Sequence, residues 1–416
     1  MHCHFPRNTN KLQKKEIISS RYILKNTFIK STDFFQTLGW AFYLACSWTW
    51  CIGMFLPVIL IRDYGPWGWL VFAIPNILGA TVMGYLKFNS NDLVEKHKTA
   101  CTIFSIVTIL FQIYFIGWIS TIVSNGFIIT VVTVLLLLCA ICSRISNNQL
   151  LSAFIIWTIS IICFISVFNL IPIEKINLFK NGLLTQGTNA LLYLTPICFF
   201  GFSLCPYLDL TFHKARLSNT TLNSKIAFTI GFCFLFLILI LFTFFYAQPM
   251  AYVINKTPYL LKDQNKIPMA YIYVIVFHMI IQAGFTTILH LSFIFQKIKK
   301  INLTYLSLTI LSMLIYIVPT ILNEQSTFLG ISINEIIYRA FMAFYSLIAP
   351  VYVFLFMASK NILLNKRNLL IYSGIVLTAL PFYAIAFLGT KWNLEILSLI
   401  GLSIVLLSKV FIKSNG

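Results

Sequence analysis

Residues Trp48–Pro57 read WTWCIGMFLP and lie in one of the most apolar parts of the chain. A helix that crosses lipid needs an unbroken backbone hydrogen-bond ladder, because hydrocarbon supplies no alternative partner. Gly53 loosens that ladder and Pro57 removes a donor from it. The stretch raises the question of why a membrane helix is broken near its middle.

That it is a membrane helix follows from the chain around it. The 416 residues are 59% hydrophobic and 10% charged, with a mean hydropathy of +0.87. A soluble domain carries about 25% charged residues, so this chain lacks the polar groups to cover a globular surface. The composition predicts an all-α polytopic membrane protein whose surroundings are the lipid bilayer. The net charge of +19 does not predict nucleic-acid binding, because Lys and Arg stand singly or in small groups between long apolar runs. The ten cysteines fall almost wholly inside those runs and read as small apolar side chains, not as a disulfide framework. Cys139 and Cys142 form a CxxC without a second pair, and His2-Cys3-His4 opens a basic tail with no apolar leader. Neither predicts a metal or redox centre, and no cofactor is expected.

At about 20 apolar residues per crossing, about twelve helices are expected. They fall near 37–60, 67–88, 100–123, 126–142, 150–171, 189–210, 226–248, 269–295, 303–322, 334–358, 368–388 and 393–411. The longest polar outer connection of the first half is 172–188. With the N-terminus in the cytoplasm, twenty-two of the thirty basic residues face inward. Seven face outward, namely Arg62, Lys175, Lys180, Lys256, Lys262, Lys266 and Lys391, while Arg339 opens a helix. This positive-inside bias predicts an even number of crossings with both termini cytoplasmic, as in a bacterial inner membrane. Trp67 and Trp69 fit an outer aromatic belt, and Pro66 suits the first turn of the second helix. Gly79, Ala80 and Gly84 read as close helix packing.

The sixth expected helix repeats the opening pattern: GFSLCP, Gly201–Pro206, again places a proline shortly after a glycine. Both are the first helix of a group of five, and they enter the membrane from opposite sides. Inverted repeats of this kind bring two discontinuous helices together near the midplane of secondary transporters. On WTWCIGMFLP, GFSLCPYLD and QAGFTTILH in the eighth helix, the chain resembles the amino acid–polyamine–organocation superfamily with its LeuT-type five-plus-five fold, and within it the sodium:solute symporters. The small-residue GxG run that many amino acid permeases carry in the first helix is absent. The resemblance implies a basic tail over 1–36, five-helix repeats over 37–171 and 189–358, and two additional helices over 368–411.

It also implies functional residues. A solute site is expected at the two breaks, from Trp50, Cys51, Gly53 and Met54 on the first helix and Phe200, Gly201, Ser203 and Tyr207 on the sixth. A sodium site is expected between carbonyls around Trp50–Gly53 and the hydroxyls of Thr286 and Thr287; Na⁺ is a hard cation that takes oxygen ligands. An outer gate is expected from Arg62 and Asp63 with Glu335 and Arg339. Buried carboxylates are scarce: Asp209, His278 and His290 are the only candidates for proton coupling. Asp209 with His213 reads as a helix-end pair, and the two other histidines as interhelical hydrogen-bonders.

The expected function is cation-coupled symport, by Na⁺ before H⁺, of a small neutral or zwitterionic organic solute such as an amino acid. Two alternatives stand beside it: a polytopic enzyme acting on lipid-linked substrates, and a transporter-like sensor. The first would need acids, bases or metal ligands on sizeable loops, whereas here the loops are short and the chain has eleven acidic residues; no enzymatic activity is expected.

Overall fold

The computed structural model describes residues 33–123, 148–170, 189–255, 269–295, 303–322, 327–328, 330–359, 364–388 and 394–410. The expected helix at 126–142, the tail before residue 33, the connection 172–188 and the Cys139–Cys142 pair lie outside the described residues. Among the described residues eight helices are long and apolar enough to cross a membrane, and a bent helix pair, counted as one span, brings the number to nine. The chain is a multi-pass, helical membrane protein.

The bent pair is α1 (Asp33–Trp48) and α2 (Cys51–Tyr64), which meet at 55°. Gly65, at φ 81°, turns the chain into α3 (Pro66–Met83), whose first position is proline. Only glycine takes that φ without strain, and a proline at the first helical position loses no hydrogen bond. A short α4 (Ser90–Lys96), capped by Asn89, leads into α5 (Lys98–Ile122). After α6 (Gln149–Leu170) come α7 (Asn189–Leu204), a tight turn at Cys205–Tyr207, and α8 (Leu210–Leu217). A π turn at Gly231–Phe236 joins α9 (Thr221–Ile230) to α10 (Leu237–Asn255). Next are α11 (Met269–Phe295) and α12 (Leu303–Ile321), then the two-residue strands β1 (Thr327–Phe328) and β2 (Ile331–Ser332), paired antiparallel. The following span is α13 (Ile333–Ala343), a π turn at Phe344–Ile348, α14 (Ala349–Tyr352) and a second π turn at Val353–Met357. Pro350 sits between those π turns. Finally α15 (Lys366–Leu388) pairs with the shorter apolar helix α16 (Leu397–Leu407).

The centre of the protein is its first span. Every residue from Trp40 to Gly65 is buried except the half-buried Leu56. Protein, not lipid, therefore surrounds the bend, which is the condition for irregular backbone at membrane depth. Around it α2 packs along α10 and α3 along α7, while α5 holds α11 and α12, and α6 packs on α11. By contrast α6 and α15 expose most of their apolar surface, as lipid-facing helices do.

Small residues set the approach of α3 to its neighbours, as expected. A Cβ on Gly79 would lie 2.7 Å from Ser203 Cα and closer still to Phe202 O, and one on Gly84 would strike the Phe228 ring. Trp69 departs from the expected belt: it is buried, and its indole N–H donates to Ile240 O and Thr243 Oγ1, both at 3.1 Å. Trp67, 58% exposed, faces outward. Gly79→Ala is expected to cost about 1–3 kcal/mol through overpacking against backbone, read as a lower thermal midpoint of the detergent-purified protein. Gly284→Ala, where nothing lies within 4 Å, serves as the control and should leave the midpoint unchanged or raised.

Candidate functional site

The helix break falls at Thr49–Trp50, earlier than the glycine and proline that announce it. Gly53 and Pro57 are both helical, inside α2. The first N–H groups of a helix lack intrahelical acceptors, and at α2 the Cys51 N–H is taken by Gln112 Oε1 of α5 at 3.2 Å. Met54 N–H reaches Trp50 O at 2.9 Å, so Ile52 and Gly53 are the remaining first-turn donors. Two tyrosines from other helices donate to the same turn: Tyr338 OH to Cys51 O at 3.0 Å and Tyr246 OH to Met54 O at 2.6 Å. On the α1 side Thr49 Oγ1 donates to Ala45 O at 2.8 Å, and the Trp48 indole donates to Asn76 Oδ1. The Trp50 ring stands against Tyr345, with centroids 4.8 Å apart.

The sixth expected helix is not broken in this way: Asn189–Tyr207 forms one candidate span, and its irregular turn comes at the end of it. Gly201 is helical, Pro206 lies in the tight turn, and the chain restarts at Asp209. Asp209 does not pair with His213 as expected. Its carboxylate accepts from the N–H and the hydroxyl of Thr211, both at 2.7 Å, and so caps α8. His213 Nε2 meets Tyr207 O at 2.8 Å.

Of the expected solute residues, Trp50, Cys51, Gly53 and Met54 line the first break. Gly201 faces α13's continuation, where a Cβ would meet Tyr345 O at 3.0 Å. The other three point elsewhere: Phe200 packs on Phe354, Ser203 backs onto Gly79, and Tyr207 stacks on Phe88. A cavity of about 40 Å³ lies between α2, α7 and the π turn after α13, lined by Ile52, Leu56, Gly201, Met342, Tyr345 and Ser346. One water needs roughly 10–15 Å³ of such space. The cavity is too small for an organic solute, and its almost wholly apolar lining offers few hydrogen-bond partners to water.

Beside it the four expected gate residues form one buried ring. Arg62 binds Glu335 in bidentate fashion, Nη1–Oε2 2.8 Å and Nη2–Oε1 2.7 Å, and its Nε meets Asp63 Oδ1 at 2.8 Å. Arg339 closes the ring with Nη2–Asp63 Oδ2 at 2.6 Å and Nε–Glu335 Oε1 at 2.9 Å. All four side chains are at most 7% exposed. Ser332 Oγ accepts from Glu335 N–H at 3.2 Å, so Glu335 holds the third position of a capped helix, where the helix dipole favours a carboxylate. The C-terminal helix pair joins in: Arg339 Nη1 donates to Phe387 O at 2.7 Å, and Tyr64 OH to Glu395 Oε1 at 3.1 Å. Burial pushes the Glu395 carboxyl above its ordinary value.

The threonine pair sits deeper. Thr286 Oγ1 donates to Gln282 O at 3.1 Å and lies 3.4 Å from Cys46 O, one turn before the break and not at Trp50–Gly53. Thr287 Oγ1 is buried with no hydrogen-bond partner among the described residues. Gln282 Nε2 donates to Ser160 Oγ at 2.9 Å, leaving its Oε1 without one. His290 Nδ1 meets Ser105 Oγ at 3.1 Å, an interhelical bond as expected. His278 makes none among the described residues and packs on Phe242 instead. Sequence reasoning passed over Gln112, Gln282, Tyr246 and Tyr338. An amide inside an apolar helix is a visible signal for the two glutamines; nothing marks two tyrosines among nineteen.

No protein-family model matches the chain, and no curated protein is similar to it.

Removing one member of a buried ionic network strands its partners and costs about 3–5 kcal/mol. Arg62→Met and Glu335→Met are each expected to lower the thermal midpoint markedly. The double variant, which restores neutrality, should recover most of the loss.

Proposed function

We propose that the protein is a secondary active transporter of a small neutral or zwitterionic organic solute such as an amino acid, with a five-plus-five inverted-repeat architecture and two added helices. The observation that carries this reading is the first span, broken at Thr49–Trp50 inside the protein core and held there by side chains from α5, α10 and α13. Unpaired backbone at membrane depth costs several kcal/mol per group, so a chain that assembles three helices around such a break uses it. The N-terminus of α2, with the Ile52 and Gly53 donors, suits a solute carboxylate. Aromatic rings at Trp50 and Tyr345 suit an apolar body. The reciprocal packing of α2 on α10 and α3 on α7 agrees with two inverted halves.

The coupling ion is Na⁺ in this reading. Cys46 O and the Thr286 hydroxyl form an oxygen-rich locus, and Thr287 adds a buried hydroxyl without a partner. Asp209, the buried carboxylate otherwise available for proton coupling, is occupied as a helix cap. The ring of Arg62, Asp63, Glu335 and Arg339 acts as the outer gate, closed in this conformation. We place the protein in a bacterial inner membrane with both termini cytoplasmic, on the distribution of its basic residues.

Reconstituted into liposomes, the protein is expected to accumulate a neutral amino acid under an inward Na⁺ gradient and not under a choline gradient. Thr287→Ala should raise the Na⁺ concentration for half-maximal uptake roughly tenfold, as loss of one oxygen ligand to a charge does, while thermal stability stays unchanged. Uptake driven by neither Na⁺ nor H⁺ for any solute in a broad amino acid panel would sink the reading.

A further inference from the structure

A second cavity, of about 520 Å³, opens on the face where α3 ends. Its walls come from two segments far apart in sequence: Gly84–Ser90 between α3 and α4, and Arg216–Lys225 between the end of α8 and the start of α9. Its lining carries three cations, Lys87, Arg216 and Lys225, and no acidic residue. Among the described residues none of the three pairs with a carboxylate; every ion pair there belongs to the gate ring.

Arg216 is fixed in the wall by neutral acceptors. Its guanidinium donates to Met83 O, to Leu86 O at 2.9 Å, to Phe88 O at 3.3 Å and to Ser90 Oγ at 3.1 Å, and lies 4.2 Å over the Phe88 ring. Those bonds immobilise the charge without cancelling it. The N-terminus of α9 also opens here, with Thr220 Oγ1 accepting from Asn223 N–H at 3.2 Å, and the helix continues through the π turn into α10. Its dipole adds to the positive potential. An independent observation points to a ligand. Ser224 lines the cavity at 5% exposure, and its hydroxyl is buried with no hydrogen-bond partner among the described residues. A helical serine ordinarily returns its hydroxyl to the carbonyl four residues back; this one is left unmatched, and a buried unmatched hydroxyl costs about 1–3 kcal/mol.

We propose that this cavity binds a phosphate-bearing anion, with Ser224 donating a hydrogen bond, Lys87 and Lys225 supplying mobile charge and Arg216 a fixed field. Two sources share that chemistry: the headgroup of an anionic phospholipid and a soluble phosphate. The lining includes the exposed Tyr85 and Leu217, an apolar border on which acyl chains would lie. The site shares no residue with the helix break or the gate, so it stands independently of the transport reading.

The test uses the full chain in neutral detergent at fixed ionic strength, reading the thermal midpoint against dioctanoyl-phosphatidylglycerol, dioctanoyl-phosphatidylcholine and inorganic phosphate. Saturable stabilisation by phosphatidylglycerol beyond phosphatidylcholine supports a lipid headgroup, and stabilisation by inorganic phosphate supports a soluble anion. In either case Lys87→Gln/Lys225→Gln should abolish the shift. Ser224→Ala, which removes one unmatched oxygen and should fold normally, should weaken apparent affinity roughly tenfold. No stabilisation by either phosphatidylglycerol or phosphate, or shifts retained in full by both variants, overturns the proposal.

Discussion

A helix interrupted in hydrocarbon has to find partners for the backbone groups it frees, and here those partners are side chains from elsewhere in the chain. Gln112 accepts from Cys51 N–H, and Tyr338 and Tyr246 donate to Cys51 O and Met54 O. Each bond ties a different helix to the same turn. The requirement explains why the first span is the most enclosed element, why three long helices pack around it, and why lipid exposure is left to α6 and α15. It also restricts evolution of the centre: moving any of these helices removes a hydrogen bond that lipid cannot replace.

The same economy applies at the turn Cys205–Tyr207. Asp209 satisfies the start of α8 from within its own chain, and Cys205 Sγ lies 3.1 Å from Tyr345 O. The residue after Cys205 is proline, which has no N–H to place. The break inside the first span is thus satisfied by distant helices, whereas the turn that ends the Asn189–Tyr207 span is satisfied largely by neighbours in sequence. The borrowed solution makes the first break responsive to movement of α5, α10 and α13.

Much of the helix layout was legible in the sequence, because a bilayer imposes a length of about 20 apolar residues on each crossing. The start of α3 at Pro66 was legible for a local reason, the φ that proline permits. The position of the first break was not. Gly53 and Pro57 weaken a helix, yet Gln112, sixty-one residues away, supplies the acceptor that lets α2 begin at Cys51. Trp69 read as an interfacial residue because nothing local reveals that Ile240 and Thr243 wait for its N–H. Arg62, Asp63, Glu335 and Arg339 could be named from their charge in apolar surroundings. Their closure into a single ring depends on α2 and α13 meeting, which no window of sequence contains.

That ring has a further property, which follows from how its charges are divided. α2 contributes one cation and one anion, and so does α13. Arg62 and Asp63 touch at 2.8 Å, as do Arg339 and Glu335. If the two helices part, each carries away a neutral dyad already in contact, so no bare ion is exposed to the low-dielectric interior at any stage. Separation would break only the contacts across the seam and leave those within each helix intact. Its free-energy cost is that of a few hydrogen bonds, far below the price of dehydrating a lone charge.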